Sequence, residues 1–108
     1  MTVFVDDMYL YPIGNFRGMQ MSHMIASTDE ELHAMAAAIG IARRWYQGDH
    51  YDVAMTKRTA AIKLGAVPVT MRQLGILTIL RRRTGRLPSD AVAAEQLWKI
   101  HIWSQGRR

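Results

Sequence analysis

The chain has 108 residues, 49% of them apolar, which suffices for one domain with its own core and argues against disorder. It contains no cysteine, so a disulfide scaffold, a thiolate metal site and a cysteine nucleophile are excluded. Fourteen Lys and Arg against nine acids leave a net charge of +5, which favours anionic partners such as a nucleotide, a nucleic acid or a lipid headgroup, though many soluble domains carry such a charge with no partner.

The start, "MTVFVDDMYL", lacks the basic opening and long apolar stretch of a signal peptide, and no run reaches the roughly 18 apolar residues of a membrane span. A cytoplasmic location is therefore expected. "TVFVDD" is a short β-rich run stopped by two acids, a buried strand at Val3–Asp6. Residues 8–21 carry Pro12, Gly14, Asn15 and Gly18 and read as a long loop, and "SHMIAS" reads as a second short strand. Thr28, with Glu31 three residues on, opens a helix as a capping box, supported by Asp29 and Glu30 in the first turn. Leu32, Met35, Ala36 and Ile39 form its apolar stripe and Gly40 its stop.

"ARRWYQG" reads as a third strand, and after "DHYD" the segment "AMTKRTAAIKLG" reads as a second helix ended by Gly65. "AVPVT" is a short strand, and Pro68, which cannot donate to a ladder, puts it at a sheet edge. Thr70 caps a third helix that runs to about Arg83, with Leu74, Leu77 and Leu80 buried and Gly85 as its stop. Strands alternating with helices predict a small layered α/β domain over residues 1–87, with about four strands in a partly parallel sheet and three helices. Residues 88–108 form a helical appendage, capped by Ser89 and helical from about Asp90 to Ser104. It has two apolar stripes, Ala93/Leu97/Ile100 and Ala94/Trp98/Ile102. The second suggests either a homodimer interface through residues 90–104 or a groove of its own domain.

The polar residues mark where chemistry would sit. Asp6 and Asp7 end the first strand, and the carboxyl ends of strands border the ligand crevice of open α/β sheets. Either they hold a cation or water there, or they simply form a turn. If "DHYD" is extended, His50 and Asp52 point one way and Asp49 and Tyr51 the other. A carboxylate beside an imidazole fixes its tautomer, which suits a general base or a metal ligand. His23 and His33 are structural residues when taken singly. Lys57 and Arg58 open the second helix and face either a phosphate or solvent. "RRRTGR", Arg81 to Arg86, reads as a solubilising helix end or a sequence-blind nucleic-acid contact. None of HExxH, the EF-hand loop, GxxxxGK[ST], GxGxxG or GxSxG is present.

The ordered set "VDD", "SHMIASTDEELHAMAAAIG", "RRWYQGDHYDVAMTKR" and "LGAVPVT" resembles the uncharacterised bacterial and phage family called domain of unknown function 4031, over about residues 1–80. Asp6 or Asp7, His23, Thr28, Glu31 to His33, Asp49 to Asp52 and Gly65–Ala66 fill its pattern. The resemblance implies a site but no reaction, and a phage accessory role only by analogy. Three histidines and several acids on separate elements are hard to explain by packing, because buried imidazoles and carboxylates cost several kcal/mol unless paired or ligated.

The expectation is therefore one cleft. His50, Asp52, His33 and His23 would be catalytic, and Asp6, Asp7, His23, His50 and Asp52 would hold a divalent metal. Arg43, Trp45, Tyr51, Lys57 and Arg58 would hold the substrate, with Trp45 or Tyr46 stacking a base. Three activities fit: hydrolysis of a nucleotide or nucleic-acid phosphodiester, capture of a nucleotide without turnover, or accessory nucleic-acid binding through Arg81–Arg86.

Overall fold

The computed structural model describes residues 2–87 and 90–106, the last seven as backbone only. Strand β1 (Val3–Val5) is the centre of the architecture, and each of its residues is buried. Val3 and Val5 face one hydrophobic cluster and Phe4 the other. A strand covered on both faces reads as a continuous apolar run, as "VFV" does.

In chain order there follow β2 (Asn15–Phe16), β3 (Met19–Ala26), helix α1 (Asp29–Ala38), β4 (Tyr51–Ala54), helix α2 (Met55–Lys63), β5 (Val67–Pro68), helix α3 (Met71–Thr84) and helix α4 (Ala91–Gly106). The five-stranded sheet runs β2-β3-β1-β5, and β4 also pairs with β3. Only β1 and β5 pair in parallel; the β1–β3, β2–β3 and β3–β4 pairs are antiparallel. Helices α1 and α2 cover one face through Leu32, Ala36, Ile39 and Ala61. On the other face lie α3 and α4, through Leu74, Ile76, Leu77, Leu80 and Ala94.

The α/β class, the partly parallel sheet and the edge position of Pro68 agree with the sequence reading. So do the caps. Thr28 accepts from the Glu31 N–H at the start of α1, and Thr70 and Gln73 form a full capping box on α3. Gly85 ends α3 in the left-handed conformation that glycine adopts without strain.

Two expectations are corrected. "ARRWYQG" is no strand: Arg43–Trp45 is a 3-10 turn whose residues are all exposed, and the strand is Tyr51–Ala54. In β4 Tyr51 and Val53 are buried while Asp52 and Ala54 are not, the period of two that "RRWY" lacks. The loop over residues 8–21 holds two 3-10 turns and a tight hairpin, so β3 begins at Met19. Arg17 (φ 51°) and Gly18 (φ 79°) make that hairpin's two-residue turn, with positive φ at both positions. For the appendage, Ala94 and Trp98 pack against the domain's own core, the second of the two readings offered by the sequence, while Val92 and Leu97 are exposed. Ser89 lies outside the described residues, whereas Asp90 Oδ1 accepts the Val92 N–H at 2.8 Å, as an N-cap does.

Candidate functional site

Register brings the site together. In the β3–β4 pairing His23 stands directly opposite Asp52, so their side chains leave the sheet on the same face. The same alternation puts His50 beside Asp52 and turns Tyr51 into the core. Asp6 follows β1, and its N–H donates to the His23 carbonyl at 3.0 Å, which extends the β1–β3 ladder by one rung. Residues far apart in sequence thus meet on three adjacent chain segments.

One nitrogen each of His23 and His50 and one Asp52 oxygen all lie within 4.8 Å of one another. Asp52 Oδ1 is 3.5 Å from His50 Nε2 and 3.9 Å from His23 Nε2. The two rings meet edge to face at 5.3 Å. Both imidazoles are held from behind. His23 Nδ1 lies 2.7 Å from Asp6 Oδ2, and His50 Nδ1 lies 2.8 Å from Asp49 Oδ1. A carboxylate can only accept, so each Nδ1 carries the proton and each neutral ring turns the Nε2 lone pair inward. Gln47 Nε2 donates to Asp52 Oδ2 at 2.8 Å, which leaves Oδ1 as the inward atom. That oxygen is buried and has no hydrogen-bond partner among the described residues. Three lone-pair donors therefore converge on one point.

Asp6 anchors the arrangement. It is fully buried, and its Oδ1 accepts the N–H groups of His23 at 2.9 Å and Met8 at 3.1 Å. The bond to Asp6 is the main reason the His23 imidazole titrates above its usual value; burial opposes the rise, and the charges of Asp6, Asp52 and Asp49 add to it. Asp49 is held from the far side by Arg82, whose Nε donates to Oδ2 at 3.1 Å. Burial raises the Asp49 carboxyl, but the bonds from His50 and Arg82 outweigh it and leave the group below the usual carboxylate range.

The other expected residues lie apart from this cluster. His33 bonds the Tyr51 hydroxyl at 2.7 Å and packs edge-on against Tyr46. Because Tyr51 and Asp52 leave β4 on opposite faces, the sheet stands between His33 and Asp52. Two of the three imidazoles meet; the third does not. Tyr51 is wholly buried and so cannot touch a substrate. Asp7 accepts the Met71 N–H at 2.8 Å and serves the start of α3. Arg58 donates to the Asp6 carbonyl at 2.8 Å and lies over the Tyr9 ring, so it braces the site's backbone. Lys57 reaches towards Gly40. Arg43 and Trp45 are exposed on the 3-10 turn, and Arg44 lies over the Trp45 ring.

Sequence reasoning missed Gln47, and it read Arg81 and Arg82 as a helix end or a nucleic-acid contact rather than as partners of Asp29 and Asp49. A signal for Arg81 was present: it lies four residues past Leu77, on the continuation of the buried stripe of α3. Its Nη2 donates to Asp29 Oδ1 at 2.9 Å.

Residues 3–83 match the family described as "Protein of unknown function (DUF4031)". The match spans well over half the chain, and the chain belongs to that family; α4 lies outside the matched residues. No curated protein and no solved structure matches the chain.

Proposed function

We propose that this family member is a metal-dependent hydrolase of phosphoester bonds, its divalent cation held by His23 Nε2, His50 Nε2 and Asp52 Oδ1. The observation that carries the reading is the buried, partnerless Asp52 Oδ1 facing two imidazole nitrogens whose far sides are fixed by carboxylates. Converging lone pairs repel unless a cation lies between them, and carboxylate–histidine pairs are the usual supports of metal-binding imidazoles. Donors of a tetrahedral zinc centre stand about 3.3 Å apart. The 3.5 and 3.9 Å separations would close by only ~0.2 and ~0.6 Å to meet that geometry. Two imidazoles and one carboxylate suit zinc, manganese, nickel or iron, and three protein donors leave positions open.

A cation there would act as a Lewis acid and lower the pKa of a water in its coordination sphere. Asp6 and Asp49 would keep both imidazoles in the ligating tautomer, and Gln47 would hold the carboxylate in orientation. The net charge of +5 favours an anionic substrate. Accessory binding of nucleic acid through Arg81–Arg86 is less well supported, because it rests on the basic run alone. The same three donors also suit iron(II) oxygen chemistry, and the identity of the metal separates that reading from hydrolysis.

Native mass spectrometry with zinc, manganese or iron(II) tests the centre. One equivalent bound by the natural chain and lost in Asp52→Ala and His50→Ala is expected. Release of nitrophenolate from p-nitrophenyl phosphate or its bis-ester by the loaded protein alone tests the reaction. Stoichiometric metal without turnover of either ester would favour capture over hydrolysis.

A further inference from the structure

Beside the triad lies a cavity of about 190 Å³ lined by Ile25, Asp29, Gly48, Asp49, Thr78, Arg81 and Arg82. Two of its lining residues adjoin the triad. Asp49 gives one oxygen to His50 and the other to Arg82. Ile25 sits two residues beyond His23 on the same face of β3, about 7 Å along the strand. A cavity this size is smaller than the roughly 300 Å³ at which ordinary small-molecule pockets begin, so it suits one chemical group and not a whole ligand.

Its chemistry selects the group. The two carboxylates are already answered, Asp29 by Arg81 and the Tyr46 hydroxyl, Asp49 by Arg82 and His50. Arg81 Nη1, in contrast, is buried with no acceptor among the described residues. A buried guanidinium N–H without an acceptor is costly, and Arg81 is a lining residue, so an acceptor that reached it through the cavity would relieve that cost. Two guanidiniums on consecutive residues can meet a group with three acceptor oxygens without giving up their carboxylates.

We propose that this cavity is a phosphate-binding subsite, with Arg81 as its recognition residue, taking the phosphoryl group of a phosphate monoester. Its place as the substrate-anchoring half of an active site rests on the hydrolase reading above. Its capacity to bind phosphate does not, because Arg81 belongs to neither the triad nor its carboxylate supports.

The test uses metal-free full-length protein titrated with inorganic phosphate, phenyl phosphate and acetate, followed by amide NMR shifts and calorimetry. Both phosphates are expected to bind more tightly than acetate, with shifts centred on Gly48, Asp49, Thr78 and Arg81. Arg81→Lys keeps a cation for Asp29 but loses the second nitrogen, and should weaken phosphate binding about ten- to a hundredfold. Arg81→Met should weaken it at least as much, with thermal unfolding confirming that each variant is folded. Unchanged affinity in folded Arg81→Lys, shifts centred elsewhere, or binding of inorganic phosphate but not of phenyl phosphate would each overturn the proposal. A zinc titration of the same samples separates the two readings. Wild-type zinc stoichiometry in Arg81→Lys is expected; phosphate bound by a protein that takes no metal would sink the hydrolase and leave the subsite standing.

Discussion

Replacing Asp6 by asparagine changes one atom and ought to silence the site without touching a proposed ligand. The buried Asp6 Oδ1 accepts two backbone N–H groups, and Oδ2 faces His23 Nδ1 at 2.7 Å. An asparagine must place its NH2 group on one side or the other. Turned towards Met8 and His23 N–H, it would leave donors facing donors, at about 1–3 kcal/mol for each group stranded. Turned towards the ring, it donates to Nδ1 and forces the His23 proton onto Nε2. The second arrangement costs less, and it blocks the lone pair that would bind the cation.

Metal affinity should therefore fall about ten- to a hundredfold, the usual effect of a lost supporting carboxylate, or ~1.4–2.7 kcal/mol. Stability should fall by about 2 kcal/mol, because two bonds to a carboxylate become bonds to an amide. Zinc competition against a chromogenic chelator measures the first quantity, urea unfolding of metal-free protein the second, and nitrogen NMR of the imidazoles reads the tautomer. If Asp6→Asn bound zinc as tightly as the natural chain while its His23 carried the proton on Nε2, the orientation argument would be refuted.

Asp52→Asn should abolish stoichiometric metal binding yet leave metal-free stability at pH 8 unchanged or higher, because Oδ1 has no bond to lose; urea unfolding beside the zinc titration decides. His33→Phe should leave zinc affinity within twofold but cost about 1–2 kcal/mol by stranding the buried Tyr51 hydroxyl, read from the same two assays. The raised His23 value sets a pH dependence: in metal-free protein its stabilising contribution is complete below the unfolded value of 6.5 and lost as pH rises through the higher folded value. Zinc affinity runs the other way, falling as pH drops through that folded value, and Asp6→Asn should shift both profiles to lower pH. Gly14→Ala would bring a Cβ to 2.3 Å from the Met8 carbonyl oxygen and should cost about 1–3 kcal/mol in thermal unfolding.

What the sequence made legible followed from local chemistry. Thr28, Thr70, Gly40 and Gly85 bound their helices because capping depends on residues three or four apart. Pairing of strands is non-local, and there the reading failed. "RRWYQG" contains residues common in strands but finds no partner, whereas "YDVA" pairs with β3 and buries alternate side chains. Arg17 was unreadable as a turn residue, since few non-glycine side chains take positive φ. The acids and the histidine of "DHYD" were the right place to look, but the roles of Asp6 and Asp7 were not separable. Adjacent in sequence, they serve different elements, one the His23 ring and the other the start of α3.

The division between His33 and the other two imidazoles has the same origin. Side chains alternate along a strand, so the face on which a residue emerges is decided by register, and a slip of one residue would exchange the faces. With His23 opposite Asp52, the buried set Tyr51 and Val53 meets α1 and α2, and the polar set His50 and Asp52 meets His23 beneath α3. Slipped by one, β4 would bury Asp52 against α1 and expose Tyr51. Loss of Tyr51 from the core would be far costlier than anything the polar residues gain. The apolar residues of β4 thus fix the register, and the converging lone pairs are a consequence of it. Tyr51→Ser would test this order of cause. It should lower metal affinity by loosening β4, although Tyr51 lies on the face away from the triad, whereas His33→Phe, which keeps the tyrosine in place, should not. Equal zinc affinities for Tyr51→Ser and the natural chain would show that the polar residues set the register themselves.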